Sequence, residues 1–192
     1  MFDRYVVFDV ETPNSRNDRI SAIGLVVVED GELTTDFYTL VNPETDFDAF
    51  NINLTGITPR MVRNQPTFPV LWELLRPLLE RGTLCAHNAP FDLGVLGRCL
   101  QDYGIEWTPR RSYVCTCQIG RRLLPGAPNH KLDTLASMLD LPLRHHNALS
   151  DAKACAGLLQ YYLREGDLRR FVREYDFSNL RTLGPEQRSE IT

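Results

Sequence analysis

The chain has 192 residues, of which 43% are hydrophobic and 24% are charged, and its formal net charge is −4. This composition argues against disorder and suits one domain with a substantial core. The negative net charge argues against coating a long nucleic-acid duplex through counterion release. No apolar run approaches the roughly 18 residues of a membrane span, and the N-terminus lacks the features of a secretory signal, so we expect a cytoplasmic protein.

The cysteines favour buried thiols over a metal site. There are 5 of them, an odd number, and no pair has the CxxC spacing of a metal ribbon. Free cysteine is among the most frequently buried residue types. A zinc site formed by Cys115, Cys117 and His130 is the weaker alternative.

The first predicted element is a strand over residues 5–11, with two carboxylates where a core strand would have Val or Ile. Because side chains alternate along a strand, Asp9 and Glu11 share a face with Val7. Their Cα atoms are then roughly 6.5 Å apart, so both carboxylates can bind one cation. On this stretch alone, an equally good interpretation ends the strand by Phe8 and leaves both acids in a solvated loop.

An antiparallel meander and two helices follow in the prediction. Strands are expected over residues 20–28 and 33–41, joined by an Asp-Gly turn at 30–31. A short helix over 59–64 has Thr58 as its N-cap. A longer helix is expected from residue 67, with a kink or break at Pro77. Its predicted apolar face consists of Val70, Leu71, Leu74, Leu75, Leu78 and Leu79.

In the second half of the chain, two predicted helices begin their inward faces with an acid. A strand over residues 83–86 leads into a helix over 90–103, whose buried stripe starts at Asp92. Ser150 is the expected N-cap of the last core helix, 151–164, whose inward stripe starts at Asp151. Between them the pattern predicts a strand over 112–115 and helices over 118–124 and 131–141. A further short helix is expected over 168–175.

Three separate elements thus place acids where the apolar pattern puts the interior. Buried carboxylates that repel one another would be destabilising, but they make sense if they converge on cations. Hard ions such as Mg²⁺ and Mn²⁺ take oxygen ligands and commonly bridge substrate phosphates. The pattern therefore predicts two-metal phosphodiester chemistry, in which one ion generates hydroxide and the other stabilises the leaving oxygen. The acids concerned are Asp9, Glu11, Asp92 and Asp151.

Such a site also needs a proton acceptor. His146 stands five residues before Asp151, and it can share the site if it lies in the loop that precedes the helix. An imidazole with an ordinary pKa near 6.5 suits general-base catalysis at neutral pH. His145 is a competitor that spacing alone does not exclude.

Three motifs together resemble a known family: F-D-V-E-T, then A-H-N-A-P-F-D, then H-N-A-L-S-D. They are similar to those of the DEDDh 3′-to-5′ exonucleases, the family of the proofreading epsilon subunit of bacterial replicative DNA polymerase. The resemblance covers about residues 4–164. It implies an α/β fold of the ribonuclease H-like type, in which helices flank a mixed sheet made of a three-strand antiparallel meander and parallel strands.

The resemblance also implies roles for particular residues. His146 is the general base by this comparison, and His145 falls outside the pattern. Two Mg²⁺ or Mn²⁺ ions are expected on Asp9, Glu11, Asp92 and Asp151. The substrate contacts that the resemblance implies, to the terminal nucleotide and its sugar and base, are Thr12, Thr55, Gly56, Ile57, Asn88 and Phe91.

Some positions depart from the family pattern or allow two interpretations. Thr55 stands where many relatives have His, and Pro13-Asn14 follows the first motif where relatives often have Thr-Gly or Gly. Both departures concern substrate preference and leave the metal ligands unchanged. Phe91 suits base stacking but also the core. The arginine pairs at 110–111, 121–122 and 169–170 suit phosphate contacts or simply a solvated face.

The leading hypothesis is a metal-dependent exonuclease that removes nucleoside monophosphates from the 3′ end of single-stranded DNA, in proofreading or repair. An exoribonuclease of the same fold is the first alternative, because no residue in the sequence indicates whether the protein accepts or rejects the 2′-hydroxyl of RNA. A non-catalytic polymerase-associated subunit is disfavoured, since all four acids and His146 are present. We expect an exonuclease domain over residues 1–165 and a C-terminal helical extension and tail over 166–192. Association with a DNA polymerase partner stays open, as does the oligomeric state.

Overall fold

The computed structural model describes residues 4–180. A mixed six-stranded sheet forms its centre, with strand order β3-β2-β1-β4-β5-β6. The outer meander is antiparallel, the β1, β4 and β5 strands run parallel to one another, and the last strand is antiparallel again. The strands are β1 (Arg4–Glu11), β2 (Ala22–Glu29), β3 (Glu32–Leu40), β4 (Thr83–Ala86), β5 (Arg110–Cys115) and β6 (Arg173–Asp176).

Helices cover both faces of this sheet, as predicted for an α/β fold. The longest has 18 residues and contains several charged side chains, and the part of the chain between residues 4 and 180 has no helix suited to crossing a membrane. The helices are α1 (Ala49–Thr55), α2 (Pro59–Val62), α3 (Phe68–Leu79), α4 (Ala89–Asp102), α5 (Thr116–Leu123), α6 (Leu132–Met138) and α7 (Ala148–Glu165).

The first strand keeps its regular pairing to its last residue. Glu11 lies opposite Ala22 in the β1–β2 ladder, and the alternative with the acids in a solvated loop is therefore wrong. The β2–β3 hairpin has the predicted two-residue turn: Asp30 and Gly31 both have positive φ, 52° and 83°. Two positive φ angles are typical of a type I′ turn, whose twist matches that of the flanking strands.

Alternation along β1 divides the core into two layers. Val6, Phe8 and Val10 pack into a cluster with α3 and α4. Tyr5 and Val7 point the other way, into a cluster with α5, α6 and α7. The face that includes Val7 is also the face of Asp9 and Glu11, as the sequence predicts, so the acids come after a buried run and lie next to α7.

The apolar face of α3 agrees with the prediction at Leu71, Leu75 and Leu79, which are buried, but differs from it elsewhere. Val70 and Leu74 are 63% and 62% exposed, whereas Phe68 and Trp72 are buried. The two aromatic side chains have more surface to bury, and they turn the helix so that Val70 and Leu74 lie on its outer side. The helix also continues past Pro77 to Leu79, although the proline has no N–H to donate to the preceding turn, so the predicted break does not occur.

Three other expectations about local structure also need correction. The segment expected to form a helix over 168–175 instead has a 3₁₀ turn, Arg169–Phe171, and strand β6, because it pairs with the edge of β5. The α1 helix lies where no helix was predicted. The α6 helix ends at Met138, three residues early, and Asp140 beyond it has a φ of 53°. Of the predicted extension over 166–192, residues 181–192 lie outside the described part of the chain.

Candidate active site

Three carboxylates meet where β1 ends beside the first turn of α7. One oxygen from each of Asp9, Glu11 and Asp151 lies within 4.8 Å of the others. Glu11 and Asp151 are buried, and Asp9 is partly buried. Among the residues that the structure describes, this is the only group of three or more potential metal-binding side chains so close together. Two elements far apart in sequence thus provide one oxygen-rich site.

The close approach of α7 to the sheet depends on Gly24. This residue lies opposite Asp9 in the β1–β2 ladder. A Cβ atom there would be 2.2 Å from the backbone oxygen of Ala148, the first residue of α7. A glycine in a strand often marks such a close backbone approach. It lets α7 begin against the strand pair, so that Asp151, in the first turn, lies beside Asp9.

Hydrogen bonds fix the start of α7. Asn147 is its N-cap, and the side chain accepts a hydrogen bond from the backbone N–H of Ser150 at 3.1 Å. In return, Oδ2 of Asp151 accepts from the backbone N–H of Asn147 at 2.9 Å. The prediction of Ser150 as the N-cap is therefore wrong: its hydroxyl accepts instead from the backbone N–H of Arg144.

Asp92 lies in the first turn of α4 and lines the same cleft. It is buried, and its Oδ1 accepts a hydrogen bond from the backbone N–H of Val10 at 3.3 Å. This bond ties α4 to the strand between Asp9 and Glu11. Asp92 does not belong to the three-carboxylate group itself, but it faces the same space. The cleft therefore contains all four predicted acids, three of them with oxygens within 4.8 Å of one another.

Burial and mutual repulsion disfavour the charged forms of these acids. Burial, and then the charges of Asp92 and Glu11, raise the pKa of Asp9 well above its ordinary value. Burial raises the pKa of Asp92 in the same way. Burial and then Asp151 raise the pKa of Glu11 to about 7. Hard oxygen donors that repel one another at this spacing fit a divalent cation such as Mg²⁺ or Mn²⁺.

The two neighbouring histidines have different environments. Nδ1 of His145 is 2.9 Å from Oδ1 of Asp151, and this contact raises the pKa of His145. His146 has a positive φ of 62° and stacks on His145 with ring centroids 4.0 Å apart. Burial, and then the neighbouring His145, lower the pKa of His146. Both rings line the cleft, and the one in contact with Asp151 is the one that the family pattern leaves out.

The cleft around these groups has a volume of about 860 Å³. Most of the predicted substrate-binding residues line it, but two do not. Gly56 is the left-handed C-cap of α1, and Ile57 is buried in a small apolar cluster. The predicted residues on the cleft wall are Thr12, Thr55, Asn88 and Phe91.

Two polar residues near the cleft were not predicted from the sequence. Asn51 of α1 donates to the backbone oxygen and the hydroxyl of Thr12, at 2.9 and 3.1 Å. His87 is 2.9 Å from both the Thr116 hydroxyl and the backbone oxygen of His130. A carbonyl only accepts, so Nε2 of His87 bears the proton and Nδ1 accepts from the hydroxyl. Burial lowers the pKa of His87 to about 4, and its place in the A-H-N motif could have indicated a role.

The other candidate groups lie apart from a metal site. Cys115, Cys117 and His130 form no metal-binding group in the part of the chain that the structure describes. Arg121, from one predicted arginine pair, lines the cleft. Arg110 instead pairs with acids on the edge strand β6, and Arg169 pairs with Asp167 at 2.7 Å.

A ribonuclease H-like sheet, with carboxylates from a central strand and two helices in one cleft, defines a nuclease of the DEDDh class. The Exonuclease (RNase_T) family model matches residues 6–159. The chain therefore belongs to the Exonuclease family, and the predicted class of protein is confirmed.

Particular relatives agree with this assignment. The chain is 35% identical to "DNA polymerase III PolC-type" of Clostridium perfringens over 98% of its own length and 13% of that protein's. It is 36% identical to "3'-5' exonuclease DinG" of Bacillus subtilis over 78% of its own length and 16% of that protein's. The fold is also similar to that of a solved structure, "Exonuclease X in complex with 5' overhanging duplex DNA", with a TM-score of 0.67 and 25% sequence identity. The superposition covers 84% of this chain and 92% of that one. The chain thus spans a small part of the two curated relatives.

Proposed function

We propose that the chain is a two-metal-ion 3′-to-5′ exonuclease that releases nucleoside monophosphates from the 3′ end of single-stranded DNA. The observation that supports this most is that oxygens of Asp9, Glu11 and Asp151 lie within 4.8 Å of one another in an open cleft, which Asp92 also lines. These four acids would hold two Mg²⁺ or Mn²⁺ ions. When bound, the ions would supply an activated water and stabilise the leaving oxygen.

The side chains around the acids have distinct roles in this proposal. His146 is the proton acceptor: its lowered pKa leaves the ring neutral at pH 7, and it lines the cleft. Thr12 directly follows β1, and Asn88 lies two residues after the end of β4. Both would contact the terminal nucleotide. Phe91 and Thr55 would flank its base and sugar.

The biological setting is also a proposal. The PolC-type relative is named as a DNA polymerase, and the chain matches a small portion of it. Proofreading or repair beside a DNA polymerase partner is consistent with that likeness. A cytoplasmic location is part of the same proposal and rests on the sequence.

The decisive experiment uses linear single-stranded DNA and RNA, labelled at either end, together with circular single-stranded DNA. With Mg²⁺ or Mn²⁺, we expect the 3′ label to be released as a mononucleotide while the 5′-labelled strand shortens stepwise. Chelator should stop the reaction, because the acids alone cannot activate the water. Protein with Asp9→Asn, purified in parallel, controls for contaminating nuclease.

Two results would change the proposal. Cleavage of circles as fast as linear strands would contradict an exonuclease. Faster shortening of RNA than of DNA would favour the exoribonuclease alternative, since the two substrates differ in the 2′-hydroxyl.

A further inference from the structure

Phe50 lines the cleft and yet is 60% exposed. An apolar side chain with so much open surface lies at the rim of the cleft, not at its floor. Leu54 follows four residues later on α1, so the two side chains share one face of the helix, and Leu54 also lines the cleft. Phe91, the other phenylalanine of the cleft, instead packs against the hydrophobic core.

The α1 helix is held firmly to the strand end that bears the acids. Asn51 donates twice to Thr12, the residue directly after β1. The loop after Thr12 adds two bonds of 2.9 Å: the backbone N–H of Asp48 donates to the Pro13 oxygen, and the backbone N–H of Ser15 donates to the Asp48 carboxylate. Phe50 is therefore at a fixed position relative to the carboxylates, although its own ring is open to solvent.

We propose that Phe50 and Leu54 form a rim platform on which a base of the bound strand stacks, upstream of the scissile phosphate. This inference rests on the proposed function. An aromatic ring can stack on any base, because every base has a π-face, so the contact would be independent of sequence. At about 860 Å³, the cleft lies in the upper part of the usual size range of ligand pockets. A second nucleotide, next to the one bound at the carboxylates, would occupy the part of the cleft at the rim platform.

The upstream position follows from the arrangement of the cleft. The phosphate to be cut must lie at the buried carboxylates, so the nucleotide to be released occupies the interior. The strand leaves the protein across the rim, and Phe50 is the exposed ring there. The bases that reach the rim platform are therefore those on the 5′ side of the scissile phosphate.

The test combines variants of Phe50 with substrates that lack single bases. For wild type and Phe50→Ala, kcat/KM is measured on DNA strands that are abasic at the first, second or third position from the 3′ end. On an intact strand, Phe50→Ala should lower kcat/KM by roughly 5- to 150-fold, the range expected for loss of one stacked base. Removing the second or third base should slow wild type but have much less effect on Phe50→Ala. This non-additivity is the sign of a direct contact.

Further variants separate stacking from general damage. Phe50→Trp keeps an aromatic face and should retain activity, whereas Phe50→Leu keeps apolar bulk and should resemble Phe50→Ala. Leu74→Ala is the matched control, because Leu74 is 62% exposed on α3, does not line the cleft, and should leave kcat/KM unchanged. Thermal melts should be the same for all four variants, since the altered side chains are exposed.

A second readout does not depend on turnover. With Ca²⁺ as the cation, a strand with 2-aminopurine at its second position should lose fluorescence on binding to wild type, and less so on binding to Phe50→Ala. If wild type degrades 3′ ends but Phe50→Ala equals it on every strand, the rim platform is wrong and the proposed function stands. Coupling only to the first base would overturn the upstream position. Absence of 3′-end degradation by wild type would contradict the proposed function itself.

Discussion

His145 and His146 lie just before α7, and only His145 forms a hydrogen bond with a carboxylate. The Nδ1 atom of His145 lies 2.9 Å from Asp151. No side-chain hydrogen bond is found for His146 between residues 4 and 180, and its positive φ of 62° turns the backbone between the two rings. In the proposed mechanism His146 takes a proton from water, and its lowered pKa means that the ring is neutral, and so able to accept a proton, at neutral pH.

Replacing each histidine separately tests this division of roles. His146→Ala should lower kcat by roughly 10² or more, the usual loss for a general base, while His145→Ala should have a small effect. Single-turnover rates with saturating Mn²⁺ measure the chemical step. Mn²⁺ titrations should show similar metal affinity for His146→Ala and wild type, because His146 is not proposed as a ligand. A larger loss of rate for His145→Ala would reverse the assignment.

The acids could be predicted from the sequence because of their position in apolar patterns. Asp9 interrupts a core strand, and Asp92 and Asp151 each head a buried helical stripe. The contact of His145 with Asp151 could not be predicted in the same way. This contact depends on the left-handed backbone at His146, and a loop dihedral angle cannot be predicted from the spacing of apolar residues.

At the scale of whole elements, the start of α7 could not be predicted from the sequence, because two residues near it are equally suited to be the N-cap. Asn147 and Ser150 are both good N-caps, and the residues between them tolerate either a helix or a loop. Tertiary contacts decided between them, because Ala148 packs against β2 at Gly24. On α3, likewise, a run of aliphatic residues suggested too broad a face: its leucines are largely buried as predicted, but Val70 and Leu74 are exposed. Phe68 and Trp72 are buried in addition.

Adding a methyl group at Gly24 should separate α7 from the sheet. In Gly24→Ala the new Cβ would meet the Ala148 backbone at 2.2 Å, and neither partner is a flexible side chain. We expect a loss of stability of about 1–3 kcal/mol or more, together with a large loss of nuclease activity, because Asp151 moves with the helix. Urea denaturation and the exonuclease assay measure the two effects.

Gly126→Ala is the matched control, because a Cβ there has no atom within 4 Å. It should keep both stability and activity near those of wild type. If Gly24→Ala were as stable and active as wild type, α7 would not depend on this close approach.

For the whole molecule, the raised pKa values of the acids in the cleft make the free energy of unfolding fall as pH rises. The pKa of Glu11 is raised from 4.5 to about 7 in the folded chain. Between these values the folded state binds more protons than the unfolded state, so this stabilisation is full below pH 4.5 and is lost as pH rises through about 7. The raised pKa values of Asp9, Asp92 and His145 act in the same direction. His87, with its lowered pKa of about 4, acts oppositely below pH 6.5.

Thermal melts with chelator between pH 6.5 and 8.5 should therefore show a falling melting temperature. Glu11→Gln should reduce the fall, because its side chain does not ionise. Excess Mn²⁺ should raise the wild-type melting temperature at pH 8 by mass action, and should raise that of Glu11→Gln less. A wild-type melting temperature that rises with pH in chelator would mean that the acids are stabilised by hydrogen bonds and are not poised for a cation.

The last strand has a consequence for the limits of the folding unit. The Exonuclease family match ends at residue 159, but β6 continues the sheet beyond β5. Next to β6, the ring of Phe177 packs at a tilt against Trp107 with ring centroids 4.9 Å apart, and its backbone N–H donates to the Pro109 oxygen. A chain cut at the end of the family match would leave β5 paired only with β4, and its other edge would be open to edge-to-edge association with other chains. The sheet of this chain thus extends beyond the segment that the family model matches.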